Sequence, residues 1–111
     1  MRLRTDFWVK AYVRTVNGSG ASAFVLQRGE AEAGAVYVVV NRLDGTAALY
    51  APAATGTLDR AFVRAHAETF LPEAEVTARI AKEASIDPDF WVIEVETKAG
   101  TAINLPLLKA D

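Results

Sequence analysis

The segment that most constrains this chain is residues 35–41, Ala-Val-Tyr-Val-Val-Val-Asn. It is rich in β-branched residues and apolar at nearly every position, so it reads as a strand. A strand with one wet face alternates; this one does not. Apolar residues on both faces require a central strand with cover on both sides. The rest of the fold must supply that cover.

Two segments can do so. In residues 5–17, Trp8, Val9, Tyr12, Val13 and Val16 form one stripe at helical spacing, with Lys10, Arg14 and Asn17 opposite. Thr5 or Asp6 is placed to cap this helix and Gly18 to end it. The same residues also alternate as a strand would. Cap and length favour a helix over residues 6–16. The second segment runs over residues 73–85. Pro72 suits a first helical position, and Glu73 and Glu75 suit the positive end of the helix dipole. Val76, Ile80 and Ala84 mark its buried side, and Asp87-Pro88 stops it.

Strands are predicted at residues 21–28, 35–41, 46–51, 61–67 and 90–97, the first three forming a meander. Asp44-Gly45 marks a turn, and residues 52–57 read as a surface loop. Residues 29–34 connect two strands with Glu30 and Glu32 exposed. Gly100 turns the chain into a short tail, residues 102–108. The expected fold is α+β: a mainly antiparallel sheet of about five strands with two helices, one small domain over residues 1–111. The length fits one domain, and 51% hydrophobic with 23% charged residues is an ordinary globular balance that argues against disorder. Asp6-Phe7-Trp8-Val9 recurs as Asp89-Phe90-Trp91-Val92, but without a repeat period this reads as coincidence.

Composition removes several chemistries. There is no cysteine, so disulfides, thiolate nucleophiles and cysteine metal sites are excluded. The single histidine, His66, makes a transition-metal site improbable. Asp87, Asp89, Glu94 and Glu96 lack the spacing of a calcium loop. Gly18-Ser19-Gly20 lacks the lysine of a phosphate loop. No cofactor is called for. The charged residues at the N-terminus do not form a secretory leader, and residues 35–40 are far too short to span a membrane. A cytoplasmic setting is expected, with no membrane partner.

Net charge is −2 but unevenly spread, with +3 over residues 1–30 and −4 over residues 59–111. The basic residues do not cluster, so no nucleic-acid partner is expected. A basic start and an acidic end can pair within the fold or between two copies.

Candidate binding residues lie at predicted strand ends. Arg28, Asn41 and Arg42 could together grip a carboxylate or phosphate, since arginine offers a planar fork of donors. Asp87 or Asp89 would then serve as acid or base. His66 is the simplest general base, with Arg64 and Glu68 as face-sharing neighbours on a strand. Turn chemistry and solvation account for most of these residues without a ligand. The aromatic load of Phe7, Trp8, Tyr12, Phe90 and Trp91 reads as core; any ring left exposed beside a strand would instead point to an interface.

Arg2-Leu3-Arg4, Phe7-Trp8-Val9, Arg28-Gly29, Ala33-Gly34, Asn41-Arg42-Leu43-Asp44-Gly45 and Asp87-Pro88-Asp89-Phe90-Trp91, in that order, resemble a family of short alphaproteobacterial proteins known as domain of unknown function 1491. The resemblance implies a small bacterial cytoplasmic domain, supports the helix at residues 6–16, and brings no catalytic residues. Two readings follow. The first is a non-enzymatic binding or assembly module, with a protein partner or self-association as a homodimer. The alternative is a small enzyme or anion sensor using Arg28, Asn41 and Arg42.

Overall fold

A computed structural model describes residues 3–54, 60–102 and 104–108. In chain order it holds α1 (Thr5–Gly18), β1 (Ser22–Gln27), β2 (Val36–Asn41), β3 (Thr46–Pro52), β4 (Phe62–Arg64), β5 (Leu71–Pro72), α2 (Glu73–Ile86) and β6 (Trp91–Glu96). The strands form one sheet in the order β1-β6-β2-β3-β4, with β5 also on β3.

Strand β2 is central, as its apolarity demands. On one face Val36, Val38 and Val40 join Val9, Tyr12 and Val16 of α1. On the other, Val39 joins Val76 of α2, with Ile80 and Ala84 packed beside it. Each fully buried valine contributes about 1.5–3 kcal/mol. Trp8 extends the first layer by stacking on Tyr12 and Phe62 at centroid distances of 5.1 and 5.5 Å.

The sheet departs from the expected one in two ways. It has six strands rather than five, and it is mixed rather than mainly antiparallel. Residues 21–51 are no meander, because β6 lies between β1 and β2 and runs parallel to β2. The cause is a crossover. Strands β5 and β2 both pair antiparallel with β3, so β5, α2 and β6 make a strand–helix–strand return. Its leading strand has only two residues, too few to show alternation.

The strand expected at residues 61–67 shortens to Phe62–Arg64. The Arg64 side chain donates to the carbonyls of His66 and Ala67 at 3.1 and 3.2 Å, which holds the chain in bends beyond it. The loop expected at residues 52–57 begins with the last residue of β3 and from residue 55 lies outside the described residues. The aromatic echo is no repeat: Phe7 is an exposed helix residue, whereas Phe90 is buried at the foot of β6.

Both helices begin without a side-chain cap. Thr5 and Asp6 are not the N-cap of α1; Arg4 is. The N–H groups of Thr5 and Asp6 instead donate to Glu32 and Ala31 carbonyls at 3.1 and 2.9 Å. Pro72 is the N-cap of α2 rather than its first residue, because it still pairs with Thr46 of β3. Glu73 N–H donates to Gly45 O at 2.9 Å. Remote loop carbonyls thus satisfy donors that a local cap would otherwise take. Gly18 closes α1 as its last residue, and Ser19 turns the chain by donating its N–H and its hydroxyl to Val16 O.

Candidate functional site

The register of the sheet separates the three anion-gripping candidates. Gln27, next to Arg28, lies opposite Val92, whereas Asn41 lies opposite Glu96. Four residues of β6 span about 13 Å. Arg28 therefore sits at one end of the strands, and Asn41 and Arg42 at the other.

Asn41 and Arg42 are engaged in building their own corner. The buried Asn41 donates to Glu73 Oε1 at 3.0 Å and accepts the N–H of Leu43 at 2.8 Å. Leu43 has φ 65°, an unusual value for a side-chain-bearing residue, and this hydrogen bond helps hold it. The Arg42 guanidinium lies over Phe70, 4.1 Å from the ring centroid. Its Nε is 3.5 Å from Asp44 Oδ2, close enough for an ion pair but not aligned as a hydrogen bond.

Asp87 and Asp89 lie at the Arg28 end, away from Asn41 and Arg42. Asp87 Oδ1 accepts the Asp89 N–H at 3.0 Å, the local backbone bonding a turn uses. His66 is not on a strand. Its Nε2 accepts the Leu49 N–H at 3.0 Å, and its Nδ1 lies 2.7 Å from Glu68 O. A neutral ring protonated at Nδ1 satisfies both contacts. Both nitrogens are thus occupied by backbone.

Glu94 faces Asn41, Glu73 and Glu96. Burial, then the charges of Glu96 and Glu73, push its carboxyl above the usual range, opposed by a hydrogen bond with Asn41. Among the described residues no group of three histidine or carboxylate side chains is arranged to hold a metal ion.

The other end of the sheet is different. Here the loop of residues 28–34 is clasped to the start of β6. Glu30 N–H donates to Asp89 O at 2.9 Å, and Trp91 Nε1 returns a hydrogen bond to Glu30 O at 2.8 Å. Gln27 Nε2 reaches Phe90 O at 2.9 Å. The Glu30 carboxylate folds back onto the N–H groups of Ala33 and Glu32, which holds it below its ordinary pKa. The buried Thr5 hydroxyl donates to Gly34 O at 2.9 Å. These contacts fix Arg28 over Trp91, its guanidinium carbon 5.2 Å from the ring centroid.

Beside this clasp, α1 and β1 enclose a groove of about 240 Å³. Its apolar lining is Val9, Val13, Val25 and Trp91, with Phe7 at the wall. Phe7 is 53% exposed. Lys10 and Arg28 supply two positive charges. Neither pairs with a carboxylate among the described residues. Asp6 is the only acid of the lining. Arg4 contacts both its oxygens, at 3.2 and 3.3 Å, and this hydrogen bonding lowers its pKa.

Reading residue types at strand ends found Arg28 but missed Phe7, Lys10 and Trp91 as its neighbours. One signal was present: Phe7 lies off the apolar stripe of α1, three residues from Lys10 on the polar face.

The sequence pattern of the family described as "Protein of unknown function (DUF1491)" matches residues 3–104. This chain belongs to that family. Solved DUF1491 structures agree with the fold. A DUF1491 family protein from Caulobacter crescentus CB15, determined by crystallography, is 37% identical; the alignment covers 98% of this chain and 100% of that one, with a TM-score of 0.80. An NMR structure of a DUF1491 family protein from the same source gives 37% identity, 98% and 99% coverage and a TM-score of 0.80. The solution structure of protein Atu0922 from A. tumefaciens is 30% identical, with 100% and 98% coverage and a TM-score of 0.83. No curated protein matches. The resemblance read from short motifs is thereby confirmed. Residues of three segments that carried it, Phe7-Trp8-Val9, Arg28-Gly29 and Asp87-Pro88-Asp89-Phe90-Trp91, meet at the clasp and groove.

Proposed function

We propose that this DUF1491 protein is a non-enzymatic binding module of the bacterial cytoplasm that works through the groove between α1 and β1. One observation carries the reading: Lys10 and Arg28, without carboxylate partners among the described residues, stand on an apolar groove walled by an exposed Phe7. Apolar pockets with a few convergent polar groups are the usual form of a ligand site. The lining includes no histidine, serine or threonine that could act as base or nucleophile, and its single acid is tied to Arg4. The sources of the two relatives support a bacterial setting. No helix among the described residues is long and apolar enough to cross a membrane, and the lack of cysteine fits a reducing compartment. The test is a fragment screen on ¹⁵N-labelled protein with neutral, anionic and cationic compounds. Shifts should gather at Phe7, Lys10, Val25 and Trp91. Shifts gathered at Asn41 and Arg42 would refute this reading.

A second reading, assembly of two copies, is favoured by β1 alone. It is an edge strand with no charged residue. Phe24 and Leu26, 39% and 54% exposed, lie outside the layer covered by α1, and α2 packs on β3 and β5 instead. Edges of this kind pair with other strands. Light scattering coupled to size exclusion should give a dimer; a monomer at high micromolar concentration overturns it.

A further inference from the structure

Resting on the groove reading, we propose that the ligand is a small carboxylate carrying a compact apolar body. Charge, shape and size each narrow the class. Lys10 and Arg28 give the groove two cations without carboxylate partners among the described residues, so an anion is the complementary partner. The Arg28 guanidinium carbon lies over the Trp91 ring, 5.2 Å from its centroid. The guanidinium N–H donors make no hydrogen bond among the described residues, and their fork matches a carboxylate in two parallel hydrogen bonds. Asp6 does not supply this partner, because Arg4 and the Phe7 N–H already take its oxygens.

The floor excludes a bare anion. Val9, Val13 and Val25 offer only methyl groups, and an ion of high charge density would lose its hydration there without replacement. An apolar body on the floor with its carboxylate at the rim satisfies both parts. The cavity, about 240 Å³, is the space of about eight waters at ~30 Å³ each. It seats a single ring or a short branched chain, and any longer ligand would project from its open side into solvent.

Phenylacetate is a suitable probe, titrated into ¹⁵N-labelled protein beside three controls. Phenylethylamine has the same body with the opposite charge, phenylethanol the same body with none, and acetate the charge without the body. Phenylacetate should move the Trp91 indole N–H and the Lys10, Val25 and Arg28 amides saturably. A Kd of about 1 mM lies within what about ten heavy atoms supply. The amine should bind at least about tenfold more weakly, as should acetate, and Arg28→Gln should weaken phenylacetate about tenfold with the remaining spectrum intact. Lys10→Gln, at an exposed helix position, gives a second and smaller loss without threatening the fold. Amine or alcohol binding as tightly as phenylacetate would overturn the anion class while leaving the groove as the site. Acetate binding equally well would overturn the apolar body. No saturable shift with any of the three ring compounds would overturn both this inference and the groove reading.

Discussion

The clasp between residues 28–34 and β6 can be probed by adding a single methyl group. At Gly29 a Cβ would sit 2.5 Å from Asp89 O, 2.5 Å from the Phe90 carbonyl carbon and 2.7 Å from Trp91 Cδ1. Two of these neighbours are backbone, so no flexible side-chain tip can swing aside. Gly29→Ala must push the loop from β6. That motion strains the Glu30 N–H to Asp89 O bond at 2.9 Å and the Trp91 Nε1 to Glu30 O bond at 2.8 Å. Overpacking of this kind costs about 1–3 kcal/mol. For a chain of 111 residues, unfolding entropy scales to about 4 °C of Tm per kcal/mol. The expected loss is thus about 4–12 °C.

Gly18→Ala is the matched control. It adds the same methyl group at the last residue of α1, where nothing lies within 4 Å. There alanine should be neutral or stabilising by up to about 1 kcal/mol. Thermal unfolding followed by circular dichroism reads both, and the Trp91 indole resonance reports whether the clasp has moved. A Gly29→Ala variant melting within about 1 °C of the parent, or equal losses at both glycines, would refute the close packing on which Arg28 and the groove depend.

Three further changes test other parts of the fold. Glu94→Gln should raise the urea midpoint at pH 7, because burial and the Glu96 and Glu73 charges disfavour the ionised carboxyl in the folded state. A carboxyl raised on folding costs stability above its folded pKa and none below its unfolded one, so the gain should fade as pH drops to about 4. His66→Ala should cost about 1–2 kcal/mol in urea unfolding, since it orphans the part-buried Leu49 N–H; no loss would show that the ring does not buttress β3. Leu26→Lys should abolish any dimer seen by light scattering, as an edge charge blocks strand pairing, and leave the melting temperature of the dilute monomer unchanged.

The part of the fold legible in the sequence was the part whose contacts are periodic. Residues 35–41 demanded cover on both faces, and the stripes of α1 and α2 supply it. What was not legible was direction. Nothing in Phe90–Thr97 distinguishes a strand parallel to β2 from one antiparallel to it; the direction follows from a crossover whose first strand, Leu71–Pro72, carries no pattern. The start of α1 was misplaced by one residue, and the caps of both helices were misread, for a related reason. A search for local caps finds Thr5 and Asp6, but the acceptors here are carbonyls of Ala31, Glu32 and Gly45, which have no side-chain signature.

The site follows the same rule more severely. Arg28 was found because arginine is conspicuous at a strand end, and it was grouped with Asn41 and Arg42 because they share that position in a strand. Strand ends are not one place, however: β1 runs antiparallel to β6 and β2 parallel to it, so the C-terminal ends of β1 and β2 lie at opposite ends of the strands. Once β6 enters between them, the partner of Arg28 has to come from the beginning of β6, and Trp91 is there. The antiparallel order of β1 and β2, which a meander already implies, keeps the anion triad apart, and the insertion of β6 between them accounts for the groove that residue types alone did not reveal.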